Sequence, residues 1–142
     1  MKEGDPIDKV LYESELRVMN CLWETEGRPI EARSVASRTA QLYGWNKNTT
    51  YTVLNKLIAK GYVLREEPGF CCKALLSREQ ARSAEIHNLV QRFFQGSVQK
   101  LVLCCLKDTR LSRQQLRELR RVLDSGASGD RPPEDARPEG PM

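Results

Sequence analysis

The sequence has little of what most catalytic and metal chemistry requires. It holds a single histidine, His87, in 142 residues, which leaves His-rich metal sites and a Ser/His/Asp arrangement without material. No nucleophile–base pair, phosphate-cradling loop or paired-acid constellation stands out, so an enzyme is not expected and no cofactor is implied. No apolar run approaches the roughly 20 residues that cross a bilayer, which excludes a membrane helix. The start, Met1-Lys2-Glu3-Gly4-Asp5-Pro6, is charged and has no apolar stretch behind it, which argues against secretion. Cysteines number five. An odd count with two vicinal pairs, Cys71-Cys72 and Cys104-Cys105, is no disulfide framework, and a cytoplasmic location is the simplest reading.

What is present is unevenly placed charge. The overall +4 understates residues 28–65, where Arg28, Arg33, Arg38, Lys47, Lys56, Lys60 and Arg65 face one acid, Glu31, for a local net of +6. Residues 77–124 carry +5 and residues 125–142 carry −2. A basic segment attracts polyanions, of which nucleic acid is the commonest in a cytoplasm.

The hydrophobic period gives the elements. Residues 1–12 read as a loose arm. Ser14 is a candidate N-cap for a first helix with Leu16, Met19, Leu22 and Trp23 on one stripe, ended by Gly27-Arg28-Pro29. A second helix is expected over about 32–43, stopped by Gly44, with Ile30 extended just before it and able to join a later hairpin. The third runs from the N-cap Asn46 to the C′ glycine Gly61, with Tyr51, Leu54, Leu57 and Ile58 inward. Its other face holds Thr49, Thr52 and Lys56 flanked by Asn48 and Asn55, and no acid at all. Tyr62–Arg65 and Phe70–Leu75 read as two strands around the turn Glu66-Glu67-Pro68-Gly69. Beyond Ser77 the helical period returns in three short helices, broken at Gly96 and reopened by the capping box Ser112-Arg113-Gln114-Gln115. Residues 125–142, with four prolines and three glycines, read as a disordered tail.

Three helices followed by a β-hairpin is the order of a winged helix-turn-helix. The fold class is therefore mostly α with a small β-hairpin: a winged-helix domain over 1–76, a helical dimerisation region over 77–124, and the tail. A reader helix enters a major groove. Asn46, Lys47, Asn48 and Thr49 sit at its N-terminal end. Asn is suited to adenine, and Thr to a hydrogen bond or to the thymine methyl. Lys56 and Lys60 are better placed for phosphate, and Arg65 and Lys73 on the hairpin for adjacent backbone. The candidate DNA-contacting set is thus Asn46, Lys47, Asn48, Thr49, Thr52, Asn55, Lys56, Lys60, Arg65 and Lys73. The apolar stripes beyond residue 77 exceed what a compact winged helix can cover, so a homodimer is expected, seated on half-sites of a palindrome. Its candidate interface comprises Ile86, Leu89, Val90, Phe93, Phe94, Leu101, Val102, Cys105, Leu116 and Leu119.

On these motifs the chain resembles the BlaI/MecI/CopY family of bacterial transcriptional repressors. Trp45-Asn46-Lys47-Asn48-Thr49-Thr50-Tyr51-Thr52-Val53-Leu54-Asn55-Lys56-Leu57-Ile58-Ala59-Lys60-Gly61 is similar to the family's Trp, Thr-Thr, Thr-x-Leu-x-basic-Leu and Lys-Gly. Glu15, Leu16, Val18, Met19 and Trp23 match its opening motif, and Phe93-Phe94-x-Gly96-Ser97 with Leu101-Val102-Leu103 resembles its dimer helices. The resemblance covers about residues 11–124. It implies a homodimer on a palindromic double-stranded DNA operator, and a membrane sensor-protease as a partner in the best-known members. The family's cleaved Asn-Phe pair is absent here, where Leu103-Cys104-Cys105-Leu106 stands. The paired Cys-x-Cys motifs of its copper-responsive branch are absent too, and Asn48 replaces the family's lysine before Thr-Thr.

The cysteines lack Cys-x-x-Cys spacing, so no metal site is assigned. Cys21 and Cys105 fit apolar stripes, which favours packing over sensing. His87 reads as a helix-surface or interface residue, and Trp23 and Trp45 as packing residues. Two other functions fit the same pattern. One is a thiol- or metal-responsive winged-helix regulator. The other is a winged-helix protein-interaction module without DNA binding, since residues 1–76 net only +1.

Overall fold

The computed structural model describes residues 9–127. The expected arm is thus described only at residues 9–12, which lead into α1 (Glu13–Trp23). The helix begins one residue before the expected cap. Tyr12 is the N-cap, and its backbone N–H donates to Glu15 Oε1 at 2.9 Å. The carboxylate at the third helical position thus satisfies the N–H of the cap residue itself, the back-reaching half of a capping box.

The strand β1 (Ile30–Glu31) follows, then α2 (Ala32–Tyr43) and α3 (Lys47–Ala59). Gly44 lies at φ 72° and its N–H closes α2 onto the Ala40 carbonyl, a left-handed stop that costs glycine little. Only Trp45 and the cap Asn46 then separate it from α3. Strands β2 (Val63–Glu66) and β3 (Cys71–Ala74) pair antiparallel, Val63 opposite Ala74 and Glu66 opposite Cys71. β1 adds to the other edge of β3, Ile30 opposite Cys72, giving the order β1-β3-β2. The extended reading of Ile30 is therefore correct.

One core unites these elements: Val18, Met19 and Leu22 of α1, Val35 of α2, Val53, Leu54 and Leu57 of α3, and Val63 and Cys72 of the sheet. Trp23 and Trp45 pack against it partly buried. On α3 the inward set differs from expectation. Thr50 and Val53 are buried with Leu54 and Leu57, while Tyr51 and Ile58 are only partly covered.

Helix α4 (Arg78–Phe93) opens with a reciprocal cap between Ser77 and Gln80 and belongs to the same compact unit, which ends at Ser97. Ala81 joins the core. A second unit follows from Val98, with α5 (Val98–Asp108) and α6 (Arg113–Ala127). The expected dimerisation region, 77–124, therefore spans both compact units. Ser112 and Gln115 cap α6 reciprocally, as expected. α6 runs to Ala127, into the stretch read as tail, because nothing helix-breaking precedes Gly126. The rest of that stretch lies outside the described residues.

Candidate nucleic-acid interface

The acid-free face is built by α3 and its cap. Asn46 Oδ1 accepts from the Thr49 N–H at 2.9 Å and from the Thr49 hydroxyl at 3.1 Å. This fixes the first turn and leaves the Asn46 amide nitrogen outward. The Thr49 oxygen keeps its acceptor capacity and its methyl. Asn46, Lys47, Asn48, Thr49, Thr52, Asn55 and Lys56 are all exposed, and the helical period puts Asn48, Thr49, Thr52, Asn55 and Lys56 on one side of α3. Asn48, Thr52 and Asn55 form one row at i, i+4 and i+7, and Thr49, Thr52 and Lys56 a second beside it. Lys47 leans over the Tyr51 ring, its ammonium 6.0 Å from the centroid.

Neighbouring threonines of α3 divide between outside and inside. Thr49 faces out, whereas Thr50 is fully buried and its hydroxyl meets that of Thr39 on α2. Thr39 donates in turn to the Ala36 carbonyl at 3.1 Å, so the shared hydrogen in the pair comes from Thr50. This buried chain of hydroxyls ties α2 to α3. The period of α2 places Thr39 on its inner face, as found, whereas Thr50 was missed, because a threonine inside a polar-looking run gives no period signal.

Lys60 departs from the set. Its ammonium lies 2.6 Å from Glu15 Oε2, and that carboxylate is 2% exposed. Lys60 neutralises a buried charge and docks the end of α3 on the start of α1. It is a structural residue before it is a phosphate ligand. On the wing, Arg65 is partly engaged too. Its guanidinium stacks 3.7 Å from the Phe70 ring centroid and donates to Glu67. That bond, with the Phe70 N–H, holds the Glu67 carboxyl below its ordinary range. Lys73 on β3 is exposed.

Among the described residues no group of three or more His, Cys, Asp or Glu could hold a metal ion. The five cysteines are free. Cys72 is buried and its thiol is pushed up to about 11, chiefly by burial. Burial raises Cys21 likewise, and Cys104 is raised by its hydrogen bond to Asp108. None of these three is an activated thiolate. Cys105 is exposed rather than packed within its own chain.

The candidate interface of α4 to α6 is mostly open. Ile86 is 45% and Phe93 59% exposed, and Val102, Leu116 and Leu119 are exposed as well. Leu89, Phe94 and Leu101 are half-buried. Val90 is the exception: it is 3% exposed within its own chain. It therefore offers no surface to a partner; α4 ends one turn later, where Phe94 and Gly96 both donate to the Val90 carbonyl.

A three-helix core with a three-stranded wing and an outward, acid-free third helix defines a winged-helix protein of the regulator class. The chain belongs to the penicillinase repressor family, whose model matches residues 11–125. That family is one of repressors, not of enzymes. The penicillinase repressor of Bacillus licheniformis is 25% identical over 116 residues, covering 80% of this chain and 89% of that one. The methicillin resistance regulatory protein MecI of Staphylococcus aureus strain N315 is 24% identical over 123 residues, covering 83% and 98%. The solution structure of the DNA-binding domain of the repressor BlaI aligns with a TM-score of 0.46 at 23% identity, over 56% of this chain and 93% of that chain.

Proposed function

We propose that this chain is a homodimeric, sequence-specific DNA-binding repressor of the bacterial cytoplasm that occupies a palindromic operator. The observation that carries the reading is the α3 surface: seven exposed side chains from Asn46 to Lys56, polar or cationic, without an acid among them. Asn48, Thr49, Thr52 and Asn55 are the base readers, because amides and hydroxyls match base edges. Lys47, Lys56 and Lys73, with Arg65, bind phosphate and set the register. Two such surfaces, paired through the open apolar residues of α4 to α6, address two half-sites about one helical turn or a multiple apart. A membrane sensor-protease, the partner that the resemblance implies, would have to cut this chain at a bond other than Asn-Phe.

Footprinting on promoter DNA at several salt concentrations tests this. The expected result is a twofold-symmetric protected site and an affinity that falls steeply with salt. Thr49→Ala or Asn48→Ala relaxes discrimination at one base position by about 1–3 kcal/mol, whereas Lys56→Gln weakens all sequences alike and lowers the salt slope by about 1. Absence of specific protection at any promoter refutes the proposal.

A further inference from the structure

A groove away from α3 has no part in the proposed operator contact. It lies between α1 and the first half of α4, within the first compact unit, and its volume is about 440 Å3. Small-molecule sites occupy about 300–1,000 Å3. Leu16, Trp23 and Ile86 form its apolar walls, and Arg78, Arg82 and Glu85 its polar rim. Leu16 and Ile86 are large side chains left open to solvent. The Trp23 indole N–H is already used, donating to the Leu76 carbonyl at 2.9 Å. The ring therefore offers a face rather than a donor, and the Arg78 guanidinium stands 5.4 Å from its centroid.

Among the described residues neither Arg78 nor Arg82 is paired with a carboxylate. Two guanidiniums against one rim carboxylate leave an excess positive charge above an apolar floor. A guanidinium fork matches a carboxylate or a phosphate. Glu85 decides between them, since a rim carboxylate repels a dianion more than a monoanion. We propose that this groove binds a small amphipathic carboxylate, with its acid group on Arg78 and Arg82 and its apolar body along Leu16, Trp23 and Ile86.

The test is a titration of the isotope-labelled full chain with decanoate below its micellar range, read at the Trp23 indole N–H and the Ala81 and Glu85 amides by NMR. Decan-1-ol and decyltrimethylammonium serve as controls. The expected result is saturable shifts confined to α1 and α4, with both controls at least tenfold weaker. Arg78→Gln combined with Arg82→Gln raises the decanoate Kd at least tenfold. If the double variant does not fold, Arg82→Gln alone must raise it, since Arg82 is exposed. Non-saturating shifts, equal binding of decan-1-ol, or unchanged affinity in the arginine variants overturns the proposal. So do shifts at the Trp23 indole N–H produced by raising protein concentration alone, which would put a second copy in the groove; Ile86, shared with the candidate dimer interface, is not used as a readout. No DNA is present in this measurement, so its failure leaves the operator reading untouched.

Discussion

Lys60 is where charge alone misleads most. Its position at the end of α3 suggests a phosphate ligand, yet its ammonium is committed to Glu15, 45 positions away in the chain. Lys60 is itself 37% exposed, so removing it takes a charged hydrogen bond from the buried Glu15 carboxylate at a cost of about 1.5–3 kcal/mol. Lys60→Ala should therefore lower the urea midpoint sharply, and a Glu15→Leu/Lys60→Met double variant should recover most of the loss. Any fall in DNA affinity for Lys60→Ala should track the folded fraction. Cys72 supplies a second residue-scale expectation. Burial keeps its proton on up to about pH 11, against an ordinary 9.0. The unfolded chain loses that proton earlier, so stability falls as pH rises from about 9 to about 11. Cys72→Ala, destabilised at pH 8 by the lost packing, should close part of its gap to the parent protein at pH 10.5 in paired urea titrations.

Helices and strands were legible wherever a local signal ended them. Gly44, Asn46, Gly61, Ser77 and Ser112 each act within three or four residues of themselves, and each sits where its chemistry predicts. The start of α1 was misplaced because Ser14 looked like a cap, while Glu15 reaches back to Tyr12 and outcompetes it. The α3 surface was legible as a missing charge. What holds that helix was not. Thr50 is tolerable inside only because Thr39 meets it across the helix pair, a fact of tertiary geometry. Thr50→Val keeps the shape and removes the hydroxyl link, and should cost about 1 kcal/mol of unfolding free energy in denaturant titrations. Asn46→Ala should cost about 1 kcal/mol by the same measurement, through the lost cap.

For the whole molecule, the open apolar residues of α4 to α6 set the main expectation. Leu116 and Leu119 are 48% and 42% exposed on a helix whose other side chains are mostly charged or polar. If the proposed dimer forms through these residues, Leu116→Glu with Leu119→Glu should convert it to a monomer by sedimentation velocity at micromolar concentration. Occupancy of the proposed palindrome should then fall much more than binding to an isolated half-site. The adjacent threonines of α3 carry a last consequence. The hydroxyl that locks the two helices is Thr50, and the one proposed to meet DNA is its neighbour Thr49, so the interhelical lock and the proposed reading sit on separate side chains. Positions 48, 49, 52 and 55 can then be rewritten, by drift between genomes or by design, without loosening the scaffold that presents them. On the proposed reading, retargeting this protein to a new promoter needs a change of four outward letters, not a new domain.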